Sequence, residues 1–475
     1  MTKDTQIAQL LLENASLRAD NEELRCFNMS LKADNLTLTQ RVNSLEAKVL
    51  QLLNQMSSLS SSKDSHNSHN PPSQDKFKPK RNRSLRKKSG RKPGGQKGHK
   101  GHTLLQSTNP DKMEELKSDF CGQCGEDLRG YTHQLVSKRQ VIEIPPIKPL
   151  YLEYRQYGTE CCCGHHQKAP YPEGVNAPIQ YGSSIVALVS YFNVYQYVAY
   201  RRLSQLFDDV FSLPISEGSI ENLLNKAAEK AHPIYDHILE IIKEAPYVGS
   251  DETGAKVNGK KWWIWVWQNI KNTFLKASDS RGFDTVKDTF PEGLPNATIG
   301  SDRWAAQLKI QSKHKQLCFP HLQRDLNFLE EKEQHQWATD FKTLLKDALI
   351  LRHQAVETNQ AYSQADLKVI EIEKQFNQLL LETIDKEQYP KTCTFQKSMI
   401  KYRNYLFRCL YDLNVPPDNN ASERAIRNVK VKQKVSGQFK SGQHTFCVLR
   451  SVIDTLRKRQ LNVFEYLCQI MKLTS

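Results

Sequence analysis

Three carboxylates and two cysteine clusters are the residues of this sequence whose types and spacing suit chemistry. Asp251 closes a short apolar run in YVGSDETG (247–254), and Asp302 closes another in ATIGSDRWAAQ (297–307). Such runs read as buried strands. Carboxylates at the carboxyl ends of two adjacent strands stand side by side and raise each other's pKa. A divalent cation relieves that repulsion, and hard oxygen ligands suit Mg²⁺, with Mn²⁺ as a substitute. Two such ions can activate a nucleophile and stabilise a leaving oxygen in phosphoryl transfer. Glu423, in PPDNNASERAIRNVKVKQK (416–434), offers a third acid from a later helix. Asn420-x-x-Glu423 also has the form of a capping box. Arg427, Lys430 and Lys434 follow along roughly one face, which suits a DNA track or an ordinary solvated helix.

The elements that must hold these acids are legible around them. KWWIWVWQN (261–269) and TFLKASDS (273–280) read as strands that continue an antiparallel meander from the Asp251 strand, the first connection being an Asn- and Gly-bearing turn. GFDTVKDTF (282–290) reads as a helix before the strand that ends at Asp302. Most of the four tryptophans at 262, 263, 265 and 267 are expected in the core or on a sheet face; stacking of one on a flipped base is the other reading.

Five of the 11 cysteines lie between 121 and 163, a clustering that suits metal ligands in a reducing compartment better than a disulfide framework. Cys121-Gly-Gln-Cys124 precedes two strand-like runs, 134–144 and 150–158, and Cys161-Cys-Cys163-Gly-His165 follows them. A hairpin of those runs would bring Cys121, Cys124, Cys161 and Cys163 to one tetrahedral Zn²⁺, with Cys162 or His165 able to replace one of the last two. The other reading is unligated, small buried thiols.

Leucine recurs at 10, 17, 24, 31, 38, 45 and 52, a strict heptad d series. The a positions are then Ile7, Asn14, Asn21, Asn28, Asn35, Val42 and Val49, so residues 1–58 are expected to form a coiled coil. Asn at a favours a parallel, in-register homodimer at some cost in stability. Glu13 with Arg18, Asp20 with Arg25 and Arg41 with Glu46 supply matching g-to-e′ charges. A linker and a basic arm follow over 59–115. Residues 76–103 alone carry twelve Lys or Arg and no acid, against a formal net charge of +15 for the 475 residues. A run of that density stays extended until it meets a polyanion, so DNA phosphate is the expected partner. Residues 201–230 suggest two helices joined at Leu213–Ser216, a weak helix-turn-helix signal. No apolar run is long enough to span a bilayer, and MTKDTQIAQ lacks the basic and apolar regions of a secretory signal. A cytoplasmic place, in cytosol or nucleoid, is the expectation.

GSDETG, IGSDRW, CFPHLQRDL and DNNASERAIRNVKVKQKVSG, with the zipper, the stretch GRKPGGQKGHKGHT and the cysteine clusters, resemble the transposases of the insertion sequence 66 family over nearly the whole chain. The resemblance implies a DDE-type enzyme with a ribonuclease H-like core. It places the catalytic, Mg²⁺-holding acids on Asp251, Asp302 and Glu423, and a supporting Cys-x-x-His signature on Cys318 and His321. It also implies a mostly helical insertion before the last acid, which residues 325–410 fit, and accessory element-encoded proteins as partners. The packed Cys161–Cys163 triplet departs from the pattern and leaves the second zinc pair open. The expected fold is multidomain α+β: a coiled coil (1–58), the linker and arm, a zinc-ribbon-like β module (116–172), helices (173–245), an α/β catalytic core (246–324 and 413–475) and an all-helical insertion (325–412). The expected function is metal-dependent cleavage of element ends and strand transfer into target DNA. The alternatives are a zinc-containing dimeric DNA-binding regulator without catalysis and a hydrolytic nuclease of the same fold.

Overall fold

The structure is a computed structural model that describes residues 3–60, 98 and 104–473, and only the backbone of 3–10, 12 and 50–60. Contacts divide the chain into two units, Met1–Lys80 with Cys318–Leu413, and Arg81–Leu317 with Asn414–Ser475. No helix among the described residues is long and apolar enough to cross a membrane.

Along the chain, α1 (Lys3–Ser60) is one helix of 58 residues. Its d-position leucines 17, 24, 31, 38 and 45 are all exposed, between 43% and 61%. After the basic arm, which lies outside the described residues apart from Gly98, the segment 134–157 forms no strand. The expected hairpin of 134–144 with 150–158 is therefore absent. Its apolar side chains have no core to enter, and Val136 and Leu150 stay over 80% exposed. The strands that do pair are β1 (Gly158–Glu160) and β2 (His166–Lys168), a short antiparallel hairpin around the second cysteine cluster.

The larger unit continues with α2 (Ser183–Ser190), a π-helical turn at Tyr191–Tyr195, α3 (Tyr200–Phe211) and α4 (Glu217–Lys243). Ser216 caps α4 by accepting the Ser219 N–H at 3.0 Å. The α3–turn–α4 pair looks like a helix-turn-helix in outline, but α4 buries Ile220, Leu224, Ala227, Ala231, Ile238 and Ile242 in the core of its own unit. Its opposite side, with Asn222, Asn225, Lys226 and Glu229, stays exposed, as on any amphipathic surface helix. Then come β3 (Tyr247–Val257), β4 (Lys260–Gln268), β5 (Thr273–Ser278), α5 (Phe283–Thr289), β6 (Leu294–Ser301), α6 (Ala305–Leu308) and β7 (Ser312–Leu317). These strands form one mixed sheet in the order β5-β4-β3-β6-β7. The meander β3-β4-β5 is antiparallel and β3, β6 and β7 run parallel. Asn258 and Gly259 both take positive φ, as a two-residue hairpin turn between right-twisted strands requires.

The Cys318–Leu413 unit is helical: α7 (Phe319–Glu333), α8 (Gln336–Glu357), α9 (Leu367–Leu381), α10 (Pro390–Lys401) and α11 (Arg408–Tyr411). Trp337, Phe341, Phe376, Phe395 and Phe407 form its aromatic centre. The chain returns to the larger unit with α12 (Asn420–Ser436), α13 (Gln443–Lys458) and α14 (Val463–Lys472). α13 covers the open edge of β5. Ser451 Oγ accepts the Leu275 N–H at 2.9 Å and Thr455 Oγ1 accepts that of Thr273 at 3.1 Å. An edge whose backbone donors are satisfied by a neighbouring helix cannot recruit a further strand.

Candidate active site

The parallel register of β3 and β6 sets the two aspartates level. Val248 pairs with Ile299 and Gly249 with Gly300; Asp251 and Asp302 each stand two residues further on. One expectation is corrected here: Asp251 does not end its strand. β3 runs on to Val257 because β4 pairs with it to the hairpin turn, and because the chain after α12 takes over its other edge. There the Asn258 N–H donates to Phe439 O at 2.7 Å and the Phe439 N–H to Lys256 O at 2.9 Å. The strand that stops is β6, at Ser301, and Asp302 Oδ1 accepts the Trp304 N–H at 2.8 Å in the turn beyond it.

Glu423 arrives in the first turn of α12. The capping box that Asn420 and Glu423 could form is absent. Asn420 is already helical, and the N-cap, Asn419, makes no side-chain cap bond. Asn419 Nδ2 donates instead to Ser250 O at 2.7 Å, so the helix start is tied to the residue before Asp251. Ser422 Oγ accepts from Gln268 Nε2 at 3.3 Å, a tie to β4. Further along α12, Lys430 Nζ donates to Gly254 O at 2.9 Å. That lysine docks the helix on β3, which removes it from the cationic DNA stripe read in the sequence. Arg427 Nη2 stands 3.7 Å from Glu423 Oε2, a partly exposed and therefore weak pair.

Burial pushes the Asp251 carboxyl well above the ordinary carboxylate range. The charges of Asp302 and then Glu252 push it further, the Glu252 N–H donated to its Oδ1 at 2.8 Å opposes them, and Glu423 adds a smaller push. Burial, with Asp302 again, also lifts Glu252 to about 7, against the pull of Arg281 and Gln307. Among the described residues no three His, Cys, Asp or Glu side chains converge closely enough to hold a metal ion. The donor chemistry nevertheless fits a hard divalent cation. Asp251, Asp302 and Glu423 are oxygen donors whose mutual repulsion disfavours ionisation of the buried member.

Cys318 is the buried N-cap of α7 and His321 lies in its first turn, at the start of the helical unit. The two cysteine clusters form separate, similar turns. The Gly125 N–H donates to Cys121 O at 2.9 Å and the Gly164 N–H to Cys161 O at 2.8 Å. Both glycines have positive φ, so the chain reverses tightly behind each cluster. Hydrogen bonds from the Cys124 and Gln123 N–H groups, then from the Cys124 thiol, lower the pKa of Cys121. The Cys163 N–H, then the Cys163 and Cys162 thiols, lower that of Cys161. With 134–157 unpaired, no strand pairing draws Cys121 and Cys124 to Cys161 and Cys163.

The tryptophans divide by strand alternation. Trp265 and Trp267 are fully buried, their rings 5.7 Å apart and parallel. Trp262, on the other face, meets His444 edge to face. Trp263 is engaged by two cations, Lys261 and Arg281, rather than left open for a base. Sequence reasoning missed Glu252, Arg281, Gln307 and Asn419, all bonded at or beside the acids. Glu252 and Asn419 lie inside motifs already singled out; Arg281 sits in no pattern that would have marked it.

A family model described as "Transposase IS66 family" matches residues 178–445, more than half of the chain. A second, "Family of unknown function (DUF6444)", matches 7–104. No match was found among curated proteins. Among solved structures, "Mos1 transposase paired-end complex with left transposon end" is similar at 11% identity, covering 50% of this chain and 83% of its own, with a TM-score of 0.13. That likeness is too slight to say anything of the fold. The family match spans all three acids and the elements that carry them, and the chain belongs to the transposase IS66 family.

Proposed function

We infer that this transposase is a DDE-type enzyme with a ribonuclease H-like core that cuts the ends of its element and joins them to target DNA. The observation that carries this reading is the convergence of three elements. The β3–β6 register levels Asp251 with Asp302, and Asn419 ties the start of the Glu423 helix to Ser250. Asp251, Asp302 and Glu423 would hold Mg²⁺, or Mn²⁺ in its place. Bound there, divalent cations supply an activated nucleophile and stabilise the leaving oxygen of an in-line phosphoryl transfer. The chain's own part is to present the three carboxylates from β3, the turn after β6 and α12, and a cation there would offset the burial and neighbouring charge that push the Asp251 pKa up. The supporting roles of Cys318 and His321 belong to this reading through the family resemblance.

The rest of the chain serves DNA. The arm at 76–103 neutralises phosphate, and α1 pairs with a second copy through its exposed leucines, so that two element ends meet in one complex. Structural Zn²⁺ on Cys121, Cys124, Cys161 and Cys163 is supported by the two matching turns and by the lowered thiol pKa values. Accessory proteins of the element complete the list of partners.

The test is incubation of the purified chain with labelled element-end DNA, target DNA and Mg²⁺, beside Asp302→Asn. Wild type is expected to nick and join the end, while Asp302→Asn binds the same DNA and leaves it intact. Binding without cutting by both, with the element's other proteins added, would return the chain to a DNA-binding regulator. Cutting without joining would make it a nuclease.

A further inference from the structure

Arg281 lies outside the three acids, yet it touches the neighbours of two of them. Its guanidinium donates to Glu252 Oε1 through Nε at 2.8 Å and Nη2 at 2.6 Å. The Glu252 side chain is 1% exposed, and Gln307 Nε2 donates to its other oxygen. Two indoles enclose the guanidinium carbon, with the Trp304 ring centre at 3.6 Å and that of Trp263 at 4.7 Å. Trp304 closes the circle. Its indole N–H donates to Arg281 O at 3.4 Å, and its backbone N–H donates to Asp302 Oδ1 at 2.8 Å. The loop carrying Arg281 is itself held, since the Trp265 indole donates to Ser280 O at 3.1 Å.

Glu252 is the residue after Asp251, and Trp304 is two beyond Asp302. One guanidinium thus ties the strand bearing the first aspartate to the turn bearing the second. The β3–β6 hydrogen bonds cannot do this, because their pairing ends at Gly249 and Gly300. We propose that Arg281 is a positioning residue of the proposed active site. Stacked between Trp263 and Trp304 and bonded to Glu252, it fixes the spacing at which Asp251 and Asp302 take a divalent cation. The proposal rests on the catalytic reading given above.

The chemistry requires arginine. A planar guanidinium can lie between two rings and still present donors at its edge, whereas a lysine ammonium satisfies the charge of Glu252 without filling the stack. Nor is stability a sufficient reason for the arrangement, since a buried ion pair returns little more than it costs to desolvate. A pair kept only for packing would show itself in melting temperature alone. A positioning pair shows itself in metal affinity, where partners of ligands typically contribute about 10- to 100-fold.

The experiment uses the full chain without DNA and titrates it with Mn²⁺, following the free ion by electron paramagnetic resonance. Wild type is compared with Arg281→Lys, Trp304→Phe, Trp304→Ala and Asp302→Asn, and each is also melted in EDTA. Thiolate sites are too soft to compete for Mn²⁺. Arg281→Lys is expected to melt near wild type and to bind Mn²⁺ about 10- to 100-fold more weakly. Trp304→Phe, which keeps an aromatic plane, should bind nearly as wild type, and Trp304→Ala should weaken as Arg281→Lys does. If Arg281→Lys folds poorly, the two Trp304 variants decide by the same contrast. Wild-type Mn²⁺ affinity in Arg281→Lys or Trp304→Ala, with affinity lost in Asp302→Asn, would overturn the positioning role alone. Wild-type affinity in Asp302→Asn would overturn the three-acid reading, and the positioning role with it.

Discussion

Asp251 is the residue at which the proposed function would cost stability. Its carboxyl is buried beside Asp302, Glu252 and Glu423, and its pKa stands well above the usual value. The folded chain therefore holds a proton there over a pH range in which the unfolded chain has released it. By linkage, stability falls as pH rises through that window and is greatest below the ordinary carboxylate pKa. Asparagine keeps the shape without the charge. In EDTA at pH 7.5, Asp251→Asn is expected to be more stable than wild type by roughly 0.5–2 kcal/mol, the usual size of such active-site trade-offs. The advantage should shrink as the pH approaches 4. Added Mg²⁺ should raise the melting temperature of wild type and leave the variant unmoved. Identical melting curves at pH 7.5 would mean that Asp251 carries no strain and is an ordinary strand residue.

At the scale of elements, the site depends on how closely α12 lies against β3, and Gly249 sets that distance. A Cβ built there would come within 2.5 Å of Gln268 Nε2, 2.8 Å of Ser422 Oγ and 3.2 Å of Asn419 Oδ1. None of these can swing clear. Ser422 is fully buried, Asn419 is bonded to Ser250, and the Gln268 amide oxygen accepts from Lys458 Nζ at 2.7 Å. Gly249→Ala should displace the start of α12, destabilise by about 1–3 kcal/mol as overpacked cores do, and reduce end cleavage far more than DNA binding. Cleavage at the wild-type rate would show that Glu423 need not be held this closely. The order of elements around the acids was legible in the sequence because local signals fix it: apolar runs for β3 and β6, the Asn258–Gly259 turn, and the helix after Asp302. The reach of β3 past Asp251 was not, because its partner is Phe439, far along the chain, and no local pattern announces a distant strand mate. The same limit explains 134–157, whose alternating apolar residues look like strands but find no partner to pair with. It explains Arg281 too, since a stack of two indoles on a guanidinium is assembled from β4, the loop before α5 and the turn after β6.

At the scale of the molecule, the proposed function assigns the number of copies to the heptad helix and the hold on DNA to the basic arm. The d-position leucines of α1 are exposed in the single chain, which suits a second helix against them. Leu24→Lys with Leu31→Lys would place charges in the middle of that seam. The pair of substitutions should turn a dimer into a monomer by light scattering, while each copy keeps its folded catalytic unit and its metal affinity. A monomeric wild type at working concentration would remove the zipper from the account. The arm makes an independent prediction, because its effect scales with salt. Each phosphate neutralised on duplex DNA contributes about 0.9 to the slope of log affinity against log salt. With twelve Lys or Arg in residues 76–103, engagement of half of them would supply a slope of about 5. Deleting 76–103 should flatten the salt dependence by that order and weaken binding to element ends and to unrelated duplex alike, since phosphate carries no sequence. Loss confined to element ends would mean that the arm reads bases, and an unchanged slope would mean that the cations contacting DNA lie elsewhere on the chain.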